Sequence, residues 1–288
     1  MISGKTKLAG IFASPVTHSL SPKMHNTAFA KCGIDAVYLA FDVDQKNLLK
    51  AVEGIRTFHM LGVNLSMPNK TAVIPYLDGL SKEAELIGAV NTVVNQDNRL
   101  IGYNTDGMGF MRSVEEAGLT VKNKKLMVLG AGGAAKAIVV QAALDGGREV
   151  VIYKRKNDTF ASVQAYFKNV AEQTNCSIHV YDYEDEVQMR KDSQSSDILV
   201  NATDIGMGNK KELTPIDKAM LHEKLVIFDL IYSPQETQLL KEARANGCES
   251  QNGLGMLLYQ GAIAFELWTG QEMPVCEIRG MIDGSSTH

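Results

Sequence analysis

The run Leu126-Met127-Val128-Leu129-Gly130-Ala131-Gly132-Gly133-Ala134-Ala135 constrains this chain more than any other segment. Four apolar residues ending at glycine read as a buried strand, and the small residues that follow read as a tight turn into a helix. Gly130 permits the turn, Gly132 lets backbone N–H groups approach a pyrophosphate, and Ala135 is small enough for close helix–strand packing. A helix starting near Gly133 aims the positive end of its dipole at such an anion. The same G-x-G-x-x-A spacing also arises where a strand and a helix merely pack closely, so the pattern alone leaves both readings open.

Around this segment, short apolar runs alternate with helical patterns from end to end. The strand-like runs are 8–12, 37–43, 61–66, 89–95 and 99–103, then 126–129, 149–153, 177–181, 197–202 and 225–229. Helical patterns cover 22–32, 48–58, a stretch after Pro68 broken near Pro75, 106–117, 133–145, 160–174, 188–196, 235–246 and 255–268. Ser21 suits an N-cap of the first helix, and Gly33 suits its stop. The alternation predicts mostly parallel sheets covered by helices on both faces. A chain of 288 residues suits two domains. The expected division is 1–112, joined by the C-terminal helix 255–288, and 113–254; the charged stretch Lys122-Asn123-Lys124-Lys125 lies near the boundary.

Composition narrows the partners. A formal net charge of −4 gives no electrostatic reason to expect nucleic acid or an anionic membrane. No apolar run approaches the ~18–20 residues that cross a bilayer, and the N-terminus lacks the apolar core of a signal peptide. Cys32, Cys176, Cys248 and Cys276 show no C-x-x-C spacing, which fits free thiols in a reducing compartment, and the cytoplasm is expected. No metal site is expected.

Four polar clusters fall on loops at or near strand C-termini, where open α/β sheets bind ligands. They are His18-Ser19-Leu20-Ser21-Pro22, Asn64-Leu65-Ser66-Met67-Pro68-Asn69-Lys70, Gly88-Ala89-Val90-Asn91-Thr92 and Tyr103-Asn104-Thr105-Asp106-Gly107. With the turn at 130–134, Asn201-Ala202-Thr203-Asp204-Ile205-Gly206-Met207, and Gln260-Gly261 leading to Phe265, Trp268, Thr269 and Gly270, they form an ordered set along nearly the whole chain. In that order they resemble the motifs of the shikimate dehydrogenase family, most closely its quinate/shikimate dehydrogenase branch. The resemblance implies an α/β protein of two domains with a cleft between them, an N-terminal substrate domain and a Rossmann-like dinucleotide-binding domain. It implies reversible, NAD(P)-dependent reduction of 3-dehydroshikimate to shikimate, in the biosynthesis of aromatic amino acids through chorismate.

The resemblance also carries roles onto particular residues. Ser19 and Ser21 match the pair that binds the substrate carboxylate, and Ser21 can serve as a helix cap as well. Lys70 matches the catalytic lysine, which takes the hydroxyl proton as hydride leaves and returns it during reduction. Asp106 matches the acid paired with it, and by itself also suits a helix cap. Asn64 and Asn91 fit hydroxyl recognition because amides both donate and accept, though either also suits a turn. Ser66 stands where most of the family has threonine. Tyr38 occupies a strand position that contacts substrate in the quinate/shikimate branch; a core-facing aromatic is the other reading. Tyr232 and Gln260 complete the substrate set.

For the dinucleotide, the resemblance implicates Gly130, Ala131, Gly132, Gly133 and Ala134 at the turn, Thr203 and Met207 near the nicotinamide, and Leu230, Gly253 and Met256 beyond. Cofactor choice turns on Lys154-Arg155-Lys156-Asn157-Asp158. An acid at the end of the second strand binds a ribose 2′-hydroxyl, whereas arginine accommodates a 2′-phosphate. Arg155, with Lys154 and Lys156, favours NADP; the branch using both cofactors has an acid at the position of Asn157, and Asp158 is one residue later. Use of either NADP or NAD is therefore expected. Two rival readings stand beside the main one: quinate as a main substrate, and an inactive ligand-binding or sensor homologue. The chain is expected to act as a monomer or homodimer.

Overall fold

The apolar runs of the sequence become two six-stranded sheets in a computed structural model, which describes residues 2–282. The chain divides into two units, Met1–Gly109 with Leu258–His288, and Phe110–Leu257.

The first unit contains β1 (Lys7–Ala13), α1 (Ser21–Lys31), β2 (Ala36–Asp42), α2 (Leu48–Thr57), β3 (Gly62–Leu65), the single-turn α3 (Asn69–Ala72), β4 (Gly79–Leu80), α4 (Lys82–Ile87), β5 (Thr92–Gln96) and β6 (Arg99–Tyr103). The order across its sheet is β2-β1-β3-β5-β6-β4. Helical crossovers make β1, β2 and β3 parallel. β5 runs antiparallel to both β3 and β6. The turn joining β5 to β6 has Asp97 and Asn98 at φ of 51° and 69°, the geometry that two-residue hairpins favour. The helix α2 buries Leu48, Val52 and Ile55, one apolar stripe at helical spacing.

The chain leaves this unit within α5 (Asp106–Glu116) and returns within α10 (Leu254–Thr269), which is followed by α11 (Val275–Ile282). Between them lie β7 (Lys125–Leu129), α6 (Gly133–Leu144), β8 (Glu149–Lys154), α7 (Phe160–Glu172), β9 (Ser177–Asp182), α8 (Glu186–Ser195), β10 (Ile198–Asn201), β11 (Val226–Asp229), α9 (Gln238–Ala245) and β12 (Ser250–Gln251). This sheet is wholly parallel, in the order β12-β11-β10-β7-β8-β9. The chain winds outward from β7 in one direction to β9, then restarts on its other side at β10. The end of β7 is thus the switch point of the sheet, where doubly wound folds bind ligands, and the glycine turn lies there.

Several local expectations change. Ser21 does not cap α1: the helix starts at Ser21 itself, with Leu20 at the cap position and no capping side chain. The helix expected after Pro68 is reduced to α3 and a 3-10 turn over Ile74–Tyr76, with Pro75 inside that turn. The helix expected from residue 235 begins at Gln238, because the Thr237 side chain accepts from Leu240 N–H and fixes the start there. α4 and α11, both short, have no counterpart in the sequence reading.

Candidate active site

Lys70 lies on α3, directly after β3, and its neighbour Asn69 holds that turn in place. The Asn69 side chain is fully buried and donates to the Val43 carbonyl at 2.7 Å. Lys70 Nζ donates to Asp106 Oδ2 at 2.6 Å. Asp106 is the first residue of α5, and its amide N–H is taken by the Asn104 side chain at 3.1 Å. Its carboxylate therefore serves side chains rather than the helix end. The pair is sheltered, with Lys70 32% and Asp106 13% exposed, so the ion pair is screened less than one in open solvent.

Asn91 fixes the other carboxylate oxygen. Its Nδ2 donates to Asp106 Oδ1 at 2.8 Å and to Thr105 Oγ1 at 3.0 Å. Its Oδ1 accepts from the Thr105 amide N–H at 2.9 Å and from Thr92 Oγ1 at 3.0 Å. Both donors and both lone pairs of the amide are thus used, and an amide flip would set Nδ2 against a backbone N–H. Thr92 links onward, because its hydroxyl accepts from Asn64 Nδ2 at 3.1 Å. Asn64 Oδ1 in turn accepts from the Tyr38 hydroxyl at 2.7 Å.

Tyr38 is fully buried, stacked on His25 with ring centroids 4.5 Å apart. Burial holds its phenol well above the usual range, against the smaller influence of a hydrogen bond with Ser21. The structure thus sets Tyr38 in the core, behind Asn64 and Ser21, with its hydroxyl already engaged. One network runs from Ser21 through Tyr38, Asn64, Thr92, Asn91 and Asp106 to Lys70. Ser19 Oγ accepts from the Ser21 amide N–H at 3.3 Å, and Ser66 is half-buried just after β3. Gln260 on α10 joins through its backbone, whose carbonyl accepts from Thr105 Oγ1 at 3.0 Å. That approach depends on Gly109, where a Cβ would stand 2.5 Å from the Gln260 nitrogen. Thr92, Asn104 and Thr105 are the parts of this network that the sequence reading passed over, although each stands inside or beside a singled-out motif.

The second unit has a pocket of about 320 Å³, lined by Gly130, Ala131, Gly132, Tyr153, Lys154, Arg155, Asn157, Tyr183, Thr203, Asp204, Ile205 and Lys210. It brings together the glycine turn, the end of β8 and the loop after β10. Gly130 has φ of 99°, and a Cβ there would meet the Ala202 carbonyl at 2.8 Å. At Gly132 a Cβ meets nothing within 4 Å, and no side chain caps α6. Open space and an uncapped helix start fit a pyrophosphate. The loop after β10 is built on Asn201, which is fully buried. Its Oδ1 accepts from the Thr203 hydroxyl at 2.7 Å, and its Nδ2 donates to Asp229 Oδ1 at 2.9 Å. Burial raises Asp229, against hydrogen bonds from Thr237, Ile231 N–H and Asn201.

Of the remaining cofactor expectations, Gly133, Ala134, Lys156, Asp158, Met207, Leu230, Gly253 and Met256 are not among the residues lining this pocket. Gly253 has a backbone reason for its identity, since a Cβ would lie 2.0 Å from the Leu230 carbonyl oxygen. Tyr232 follows β11 and is exposed. Asp204, Lys210, Tyr183 and Asn157 also line the pocket; Asp204 stands within the segment 201–207 singled out above, while Lys210 carries no local signal.

Comparison with known proteins gives two family-model matches: a shikimate dehydrogenase substrate binding domain over residues 11–93, and a shikimate 5'-dehydrogenase C-terminal domain over residues 253–279. Shikimate dehydrogenase (NADP(+)) of Listeria innocua is 49% identical over 98% of this chain and 97% of its own length. The crystal structure of shikimate 5-dehydrogenase from Listeria monocytogenes, in complex with shikimate and NAD, is 48% identical with a TM-score of 0.95, covering 98% of each chain. Quinate dehydrogenase from Corynebacterium glutamicum, in complex with NAD, is 29% identical with a TM-score of 0.87, over 97% of this chain and 99% of that one.

Proposed function

The chain belongs to the shikimate dehydrogenase family, and on that premise we propose that it interconverts shikimate and 3-dehydroshikimate with NADP or NAD. The observation that carries the reading is the Lys70–Asp106 pair, 2.6 Å apart and held from behind by Asn91.

The pocket lined by Gly130, Gly132, Lys154 and Arg155 would hold the dinucleotide, which would supply or accept the hydride exchanged with the hydroxyl-bearing carbon. Lys70 takes the hydroxyl proton as that alcohol becomes a carbonyl, and its ammonium donates to the carbonyl oxygen in the reverse direction. Asp106 fixes Lys70 Nζ through a short charge-assisted bond. Because Asn91 holds the second oxygen, the carboxylate cannot rotate away without breaking two hydrogen bonds. Ser19 and Ser21 donate to the substrate carboxylate, Ser66 and Gln260 serve its hydroxyls, and Asn64, whose amide is held by Tyr38, Asn91 and Thr92, positions the network behind them. Tyr38 and Asn91 act as positioning residues, because the protein itself uses their polar groups. The uncapped start of α6 beside Gly130 and Gly132 would suit the pyrophosphate, and Lys154 and Arg155 line the same pocket.

The four cysteines are free thiols, which supports a reducing, cytoplasmic setting. No helix among the described residues is long and apolar enough to cross a membrane. The test is the appearance of reduced nicotinamide when the purified chain meets shikimate or quinate with NADP or NAD. Shikimate-dependent turnover is expected with at least one cofactor. A larger kcat/KM for quinate would move the assignment to the quinate branch, whose C. glutamicum member shares this fold. Inactivity in all four combinations would overturn the proposal in favour of a ligand-binding homologue.

A further inference from the structure

The family reading leaves open how this pocket tells NAD from NADP, and this inference rests on that reading. We infer that Asp204, paired with Lys210 and lining the same pocket as Arg155, sets the choice between the two cofactors. Asp204, on the loop after β10, lines the same pocket as Lys154 and Arg155 at the end of β8, and β10 and β8 flank β7 in the sheet. The end of the second strand is where a dinucleotide places its adenosine ribose, so a group lining the pocket at that strand end meets the 2′ position.

The loop holds both members of the pair. Lys210 Nζ donates to Asp204 Oδ2 at 2.6 Å, and the Lys210 carbonyl accepts from Gly206 N–H at 3.1 Å. The Lys210 ammonium holds Asp204 below the usual carboxylate range, and the Arg155 guanidinium adds to the effect, so Asp204 is ionised at neutral pH and lies within the field of Arg155. Lys154 is partly spent, donating to the Asn157 side chain and the Arg155 carbonyl. Arg155 supplies attraction for a 2′-phosphate, while Asp204 supplies an acceptor for a 2′-hydroxyl and repulsion for a phosphate. Lys210 offsets that repulsion. The outcome is a balanced pocket in which either cofactor is accepted, and the acid rather than the arginine is the adjustable part.

Calorimetric titration with 2′,5′-ADP and 5′-AMP, which differ only in the 2′-phosphate, isolates this effect from catalysis. Asp204→Asn is expected to tighten 2′,5′-ADP about fivefold relative to 5′-AMP, the scale for removing one unit charge beside a phosphate in a solvent-exposed site. Lys210→Met is expected to weaken 2′,5′-ADP by a similar factor, and to lose that effect in the Asp204→Asn background. The Asp204→Asn effect should shrink as salt is raised. Both side chains are substantially exposed, 65% for Asp204 and 36% for Lys210, so neither variant removes core packing. An unchanged ratio in Asp204→Asn overturns the inference while leaving the dehydrogenase reading intact. An equal Lys210→Met loss in both backgrounds also overturns it, by showing that Lys210 binds phosphate directly. Wild-type protein that binds neither nucleotide would sink the cofactor assignment itself, and this inference with it.

Discussion

Asn91 Nδ2 lies 2.8 Å from Asp106 Oδ1, on the opposite oxygen from the one that Lys70 holds at 2.6 Å. The carboxylate is therefore gripped on both sides, by a neutral amide with no spare hydrogen-bonding capacity and by a cation. Lys70 is the more accessible member of the pair: its side chain is 32% exposed against 13% for Asp106.

Replacing Lys70 with alanine is expected to lower kcat by about 10²–10⁴, the usual contribution of a positioned acid–base group. KM for shikimate should change far less, because the missing group acts on the transferred proton rather than on the bound ground state. Steady-state kinetics in both directions checks this. An unchanged kcat would remove Lys70 from the chemistry.

Asn91→Ala leaves Asp106 Oδ1, the Thr105 amide N–H and the Thr92 hydroxyl without their partner in a buried setting. Unpartnered buried groups cost about 1–3 kcal/mol each, partly relieved where water enters. The variant should lose about 2 kcal/mol of stability in urea titration and about tenfold in kcat. Asn91→Asp should be worse in kcat, since it sets a second carboxylate against Asp106. Equal kcat for the two variants would show that Asn91 supports only the fold.

Much of this was readable before any coordinates, for physical reasons that differ from place to place. The strand, turn and helix at 126–135 are specified locally, because Gly130 and Ala135 each answer a short-range demand. The convergence of Lys70 and Asp106 is not local: they are 36 residues apart, and family resemblance rather than spacing pointed to the pair. Tyr38 could not be placed from its strand pattern, because its burial depends on His25 and Trp268, which α1 and α10 bring against it. Asp204 and Lys210 read as ordinary surface charges in the sequence, and only the fold of the loop after β10 brings them into the lining of a pocket.

Gly132 and Gly130 separate packing from binding at the glycine turn. Gly132 has φ of −77° and ψ of −169°, which alanine adopts, and its Cβ would meet no protein atom within 4 Å. Gly132→Ala should therefore change stability by no more than about 0.5 kcal/mol. Its methyl would enter the space assigned to the pyrophosphate, and the dissociation constant for NADP should rise at least about tenfold, a loss of ~1.4 kcal/mol. Gly130→Ala combines a positive φ with a clash against backbone, and should lose several kcal/mol of stability. Thermal melting and NADP titration of both variants test the contrast, which fails if Gly132→Ala binds NADP like the wild type.

His25 gives the fold an acid-side weakness. Its ring is fully buried between Tyr38 and Trp268, and burial lowers its pKa from 6.5 to about 3, against the smaller opposing influence of a hydrogen bond with Asn64. In the unfolded chain the same ring titrates near its ordinary value. Between those two pKa values the unfolded state binds a proton that the native state refuses, so stability falls as pH drops through that window, by ~1.4 kcal/mol per pH unit. Above about pH 7 both states are neutral and the contribution vanishes. Phenylalanine at position 25 keeps the stack and removes the titration. Urea unfolding should then show His25→Phe gaining about 2 kcal/mol on the wild type as pH goes from about 7 to about 5. A gap between the two proteins that stays constant with pH would mean that the ring is protonated, or hydrated, in the native state.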